Sequence, residues 1–363
     1  MNNWRKSYTG IRAILFLGVF FYHASRVMNL TAYSIENITT IVVRLSVNTF
    51  FCLSGFLCSS RKLKKISYFE QLHHSYTSFL KKNYRWHAVF SVLMYPISFW
   101  AFFTGTQAIS AHIIETISCS LLLQSSIPSL DISLGLNTVS WFLSTMLLML
   151  PLTIAGERVI ENLYVKYRKS GLYFAFYFLF MAQILTVMLP LSSTIRTWFL
   201  YISIFPRSLE YLIGFCLGKL ESESEANIQK SNSLLFFGIL LFSLIVISYN
   251  QIPETLTLSF IFTPVSLVIL WNCASEEYFI GKLCSSKLLV QLGRNSKYHY
   301  ISHYAVLSYI WKISSRFFHS LESSLVFKLF IIVLSYIIVV VLGLVMEKID
   351  FKLKSGVKAC AHL

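Results

Sequence analysis

Ten long apolar stretches, separated by short loops in which basic residues recur, constrain this chain more than any other feature. A helix needs about 20 apolar residues to cross the hydrocarbon core of a bilayer. Stretches of about that size run over residues 11–29, 40–59, 86–104, 138–156, 172–190, 198–218, 233–250, 256–273, 299–315 and 325–346. Lipid offers no water to backbone amides, so such spans fold as helices. The pattern predicts an all-α, polytopic membrane bundle of about ten transmembrane helices. A weaker stretch, 107–124, carries His112 and Glu115 and fits an amphipathic or re-entrant helix on the outer face.

Charge between the stretches gives an independent test, because a missed span would scramble its alternation. Loops on one side hold 23 basic residues, among them Arg5, Lys6, Arg61, Lys81, Lys82, Arg85, Lys287 and Lys297. The opposite side holds Arg26, Arg196 and Arg316. Cytoplasmic loops retain Lys and Arg, so both termini are predicted in the cytoplasm. Residues 1–350 then form one transmembrane domain and 351–363 a short basic cytoplasmic tail. The N-terminus has the basic-then-apolar order of a signal peptide, yet no small-residue cleavage site follows, so the first helix is expected to remain. The acidic, serine-rich loop Glu221 to Glu225 reads as a solvated connection.

Composition narrows the function classes. With 55% hydrophobic residues, 13% charged residues and a mean hydropathy of +0.63, the chain lies outside soluble globular composition. Its net charge of +15 is spread between apolar runs rather than gathered on a soluble face, so no nucleic-acid partner is expected. Seven cysteines, odd in number and mostly within apolar runs, suggest neither a disulfide framework nor a metal site.

Ionisable side chains within spans are costly, by about 2.5 to 3.5 kcal/mol on insertion scales, and are therefore functional candidates. The first helix has two. Arg12 and His23 are eleven positions apart, close to three turns, which puts them on one face about 16 Å apart. Arg12 lies toward the cytoplasmic mouth and His23 toward the outer half, a separation comparable to the reach of a long thioester donor. A guanidinium pairs with phosphates, and a neutral imidazole can take a proton from an attacking hydroxyl. The same residues also fit a positive-inside anchor and a histidine satisfied by a neighbour.

Four further places stand out. The second helix ends in Phe50-Phe51-Cys52-Leu53-Ser54-Gly55-Phe56-Leu57, where small residues admit a close neighbour, helix or ligand; Arg44 and Asn48 lie nearer its outer end. Pro206-Arg207-Ser208-Leu209-Glu210 puts a charged pair at i and i+3 beside a residue that frees a backbone carbonyl. That pair suits a structural ion bridge as well as chemistry. Trp141 with Ser144 begins the fourth span, in keeping with an interfacial aromatic belt. Tyr298, Tyr300 and His303 begin the ninth, where His303 is either a packing residue or a site residue.

Taken together these segments resemble the acyltransferase-3 family of ten-helix membrane proteins. Arg12 followed by ten residues and then His23 is similar to the family's R-x10-H signature, and Phe50 to Leu57 resembles its second hallmark. Trp141-Phe142-Leu143-Ser144, Arg207-x-x-Glu210-x-x-x-Gly214, and Leu292-Gly293 leading through a tyrosine-rich run to His303 continue the resemblance in order. Asn295 to His299 departs from it, reading Asn-Ser-Lys-Tyr-His where the family has a serine-tyrosine-serine type run.

The resemblance implies an acyl-CoA-dependent O-acyltransferase of a bacterial inner membrane. Its donor would be acetyl-CoA, a co-substrate rather than a bound cofactor, and its acceptor a carbohydrate or lipid-linked carbohydrate of the cell surface. Arg12 and His23 are the expected catalytic pair. Arg12, Ser54 and Gly55 are expected on the donor, and Arg44, Trp141, Arg207, Glu210 and His303 on the acceptor. The family often adds an SGNH domain after its last helix; 17 residues follow the last span, so a stand-alone form is expected. Competing expectations are a transporter or flippase of lipid-linked sugars, for which no internal repeat or pair of broken helices is evident, and a non-catalytic polysaccharide assembly partner.

Overall fold

The computed structural model describes residues 4–30, 33–60, 66–104, 108–224 and 228–360. Arg61, Lys62, Lys64 and Lys65, Glu225 and the last three residues of the predicted tail lie outside these residues. The described chain is helical, with no strand. In order come α1 (Trp4–Val27), α2 (Tyr33–Ser59), α3 (Tyr68–Phe103), α4 (Ile109–Ser120), α5 (Leu130–Ser133), α6 (Trp141–Leu148), α7 (Leu150–Val187) and α8 (Ser193–Thr197). Then follow α9 (Ile204–Ser222), α10 (Ile228–Ser248), α11 (Glu254–Thr257), α12 (Thr263–Asn272), α13 (Phe279–Cys284), α14 (Lys287–Arg294), α15 (Ser296–Phe317) and α16 (Leu325–Cys360).

Six helical stretches among the described residues are long and apolar enough to cross a membrane: Lys6–Val27, Ile35–Ser59, Leu150–Val187, Ser193–Ser222, Ser231–Gln251 and Leu325–Leu353. The other apolar stretches are also helical. The last helix continues through Cys360, past the residue-350 boundary expected from sequence.

Local chemistry explains where elements begin and bend. Ser67 caps α3: its hydroxyl accepts from the Glu70 N–H at 3.2 Å, while Glu70 accepts from the Ser67 N–H at 2.8 Å. The Ser67 N–H foremost, with the Ser67 hydroxyl, holds the Glu70 carboxyl below the usual range. Within α7, Arg168 has φ 52° and ψ −137°, which breaks the helical path. A Cβ on Gly171 would lie 2.4 Å from the Leu163 carbonyl oxygen, whereas residues eight apart in a straight helix are about 12 Å apart. The chain therefore doubles back there, and α7 is two arms of a hairpin.

The segment around α9 differs from the continuous helix expected over 198–218. A π turn over Trp198–Ile202 ends at Ser203, whose backbone is extended (φ −64°, ψ 158°), and α9 starts afresh at Ile204. The cause is Pro206, which has no N–H to offer the Ile202 carbonyl four residues back. Thr145 Oγ1 donates to that carbonyl at 2.8 Å instead. The stretch 256–273 is also interrupted, as α11, a 3-10 turn over Phe260–Phe262, and α12. The absence of a pair of broken helices, expected from sequence, is thus corrected.

Packing places α1 against α2 on one flank and against α13, α14 and α15 on the other. A close backbone crossing joins α2 and α9. A Cβ on Gly55 would lie 1.8 Å from the Tyr211 carbonyl oxygen, and one on Gly214 would lie 2.0 Å from that of Cys52. Close backbone approach of this kind replaces the hydrophobic effect as the source of helix association in lipid. A second cluster packs Phe16, Phe20, Ala24 and Met28 of α1 against Leu307 of α15 and Val339 of α16.

Candidate active site

Two cavities lie along α1. The one beside the C-terminal end of α1, outer on the topology expected from sequence, is of about 390 Å³ and is lined by His23, Arg44, Trp141, Tyr201, Tyr300 and Tyr304, among others. Arg44 is fixed from outside the cavity: Nη1 donates to Tyr249 Oη at 2.8 Å and to Thr257 Oγ1 at 2.5 Å, and Nη2 lies 3.7 Å from Glu254. Trp141 packs on Tyr201 with centroids 5.1 Å apart. The loop leading into this wall is anchored by buried Glu115 of α4, which accepts from Ser98 Oγ at 2.9 Å and from the Leu136 N–H at 2.7 Å. The short outer helix read from sequence is therefore a strut for the cavity.

The inner cavity, of about 320 Å³, is lined by Arg12, Ser54, Lys82, Phe142, Lys297 and Tyr300, among others. It lies toward the end of the bundle that holds the start of α1. Arg12 is half-buried and has no hydrogen-bond or ion-pair partner among the described residues. Such a cation, set beside Lys82 and Lys297, is an anion-binding arrangement. Asp350 of α16 organises the wall. It accepts from Trp86 Nε1 at 2.9 Å and Tyr298 Oη at 2.7 Å, pairs with Arg85, and lies 3.5 Å from Lys297.

Tyr300 lines both cavities. Its hydroxyl donates to the Val139 carbonyl at 3.1 Å, and its ring lies 5.4 Å from that of Phe142, which in turn packs 4.7 Å from Phe51. An aromatic partition contributed by three helices thus stands between the compartment of Arg12 and that of His23.

The sequence profile of the acyltransferase-3 family, described as an acyltransferase domain, matches residues 5–345. This chain belongs to that family. No curated protein and no solved structure matches it. Membership makes the bundle a membrane acyltransferase, with an acyl donor and a carbohydrate acceptor in general terms.

In this acyltransferase-3 protein the residues singled out from sequence fall into three groups. His23, Arg44 and Trp141 share the outer cavity, and Arg12 and Ser54 share the inner one. Gly55 faces the α9 backbone rather than a cavity. Arg207, Glu210 and His303 line neither cavity and are 0 to 1% exposed. Arg207 and Glu210 brace the outer wall from behind: Arg207 Nε donates to the Tyr201 carbonyl at 2.8 Å, Nη2 reaches the Leu258 carbonyl at 3.4 Å, and Glu210 accepts from Ser259 Oγ at 2.7 Å. The Tyr201 and Leu258 carbonyls are backbone groups at the two helix interruptions.

Sequence reasoning passed over Lys82, Lys297, Phe142 and Asp350 as site residues. The two lysines were absorbed into the loop-charge count. Asp350 is an acid set between Lys348 and Lys352, the one signal that could have flagged it.

Proposed function

We propose that this acyltransferase-3 protein moves an acetyl group from acetyl-CoA to a carbohydrate hydroxyl, on a cell-surface polysaccharide or its lipid-linked precursor. It would do so in a bacterial inner membrane, with both termini cytoplasmic. The ten crossings would be α1, α2, α3, α6 with the first arm of α7, the second arm of α7, the interrupted α9 segment, α10, α11 with α12, α15 and α16. One observation carries the reading: Arg12 and His23 lie on a single helix yet open into different cavities, which meet at Tyr300.

Arg12, Lys82 and Lys297 hold the CoA phosphates, and the pantetheine arm runs past Phe142 and Tyr300 toward His23. The acceptor sugar occupies the outer cavity against Trp141, with Arg44 as a donor to its oxygens. His23 takes the proton of the attacking hydroxyl as its oxygen bonds to the thioester carbonyl carbon. The carbon–sulfur bond then breaks, and the CoA thiolate recovers the proton from His23. Transient acetylation of His23 before transfer is the relay form of the same chemistry.

Purified protein given acetyl-CoA labelled in its acetyl group, with a panel of sugar acceptors, tests this. Labelled sugar formed by the native chain and lost in His23→Ala supports it. The two interrupted helices favour a second reading, passage of lipid-linked sugar. Movement of labelled glycolipid across vesicles without acyl donor, and with no acetyl transfer when donor is supplied, would replace the first reading by the second.

A further inference from the structure

His303 is fully buried on α15, with its ring centroid 5.2 Å from that of His23. Its Nδ1 lies 2.7 Å from the Tyr300 carbonyl oxygen. A carbonyl can only accept, so Nδ1 bears the hydrogen and a neutral His303 has its lone pair on Nε2. That Nε2 is buried without a hydrogen-bond partner among the described residues. The other ring neighbours of His303 are Phe16, edge-on at 5.4 Å, Tyr300 at 5.7 Å and Phe20 at 6.4 Å. The neighbouring His299 is directed elsewhere, its Nε2 lying 2.5 Å from where a Cβ on Gly343 of α16 would be.

A histidine acting as base must present a lone pair to the hydroxyl, which puts its own hydrogen on the other ring nitrogen. In serine-type sites a carboxylate takes that hydrogen and orients the ring. Among the described residues no carboxylate lines the outer cavity, and a bare carboxylate in an apolar membrane interior would be costly. A neutral imidazole of fixed tautomer meets the same need.

We propose that His303 is a positioning residue for His23, its Nε2 accepting the ring N–H of His23 during acyl transfer. The bond forms by closure of the two rings when substrates bind, as apo catalytic geometry commonly tightens. His23 gains the hydroxyl proton and later returns it to the CoA thiolate, while His303 keeps its Nδ1 hydrogen on the Tyr300 carbonyl throughout. The proposal rests on His23 being the base.

The test compares CoA release from acetyl-CoA, with the same sugar panel, in full-length His303→Met, His303→Gln and His23→Ala. Methionine approximates the volume with only a weak acceptor, whereas a glutamine amide oxygen can accept the His23 hydrogen. We expect kcat to fall about 100-fold in His303→Met with KM for acetyl-CoA unchanged, and His303→Gln to recover to within about tenfold of the native chain. Equal losses in the two variants, or full turnover in His303→Met, would overturn the pairing while leaving His23 as base. Full turnover in His23→Ala would overturn the base reading itself. Solid-state NMR of the native chain with ring-15N histidine needs no substitution: hydrogen on Nδ1 of His303 is expected, and hydrogen on Nε2 would defeat the proposal.

Discussion

Arg207 and Glu210, one turn apart on α9, are bound to each other twice: Nη1 of the arginine reaches both carboxylate oxygens at 2.7 Å. The pair sits under the rings of Phe51 and Tyr201 and meets the carbonyls left open by the breaks at Ser203 and Leu258. It pins two interrupted helices behind the outer cavity through the Tyr201 and Leu258 carbonyls.

Removing one partner strands the other charge in the core. Glu210→Ala is expected to lower stability by about 3–5 kcal/mol, whereas the joint change Arg207→Met with Glu210→Leu costs less. Thermal unfolding in detergent, followed by exposure of the buried cysteines, ranks the variants. Equal losses would show that the carbonyl contacts of Arg207, rather than the ion pair, carry the effect.

Arg12 has no hydrogen-bond or ion-pair partner among the described residues, so its loss should fall on the donor. Arg12→Ala is expected to weaken CoA binding by about 10- to 100-fold, the worth of a hydrogen bond to a charged group, without disturbing the fold. Titration calorimetry with CoA checks this, and an unchanged affinity would make Arg12 a membrane anchor.

Phe142 lines the inner cavity beside Tyr300. Phe142→Ala should admit bulkier acyl groups, raising the propionyl-CoA to acetyl-CoA ratio of kcat/KM by about tenfold, the scale of one methylene in an apolar pocket. A ratio that stays constant would place the selectivity elsewhere.

Gly55 and Ser54 are neighbours with separate duties. Gly55→Ala forces a Cβ to within 1.8 Å of the Tyr211 carbonyl oxygen and is expected to cost about 1–3 kcal/mol or more through overpacking, leaving the CoA affinity of folded protein intact. Ser54→Ala should leave the fold intact, since among the described residues the Ser54 hydroxyl bonds only the Phe50 carbonyl of its own helix. Melting curves paired with CoA titrations separate the two.

Helical content, the apolar stretches and the R-x10-H spacing of Arg12 and His23 were legible in the sequence, because each follows from local periodicity and the length a bilayer demands. The family followed from short motifs in order. Which residues face a common space was not legible. Gly55 and Ser54 are adjacent in the chain, yet one meets a helix and the other a cavity. Arg207 and Glu210 look like site residues by the cost of burying charge, but that cost is met by each other and by carbonyls 51 positions away. Asp350 gathers Arg85, Trp86, Lys297 and Tyr298 across three helices. Sequence by itself determined a membrane bundle of a known family and the two residues on its first helix, because hydrophobicity and helical pitch act locally. Only the tertiary structure decided that those two residues belong to separate chambers divided at Tyr300, because a partition built from α2, α6 and α15 exists only once distant segments have packed together.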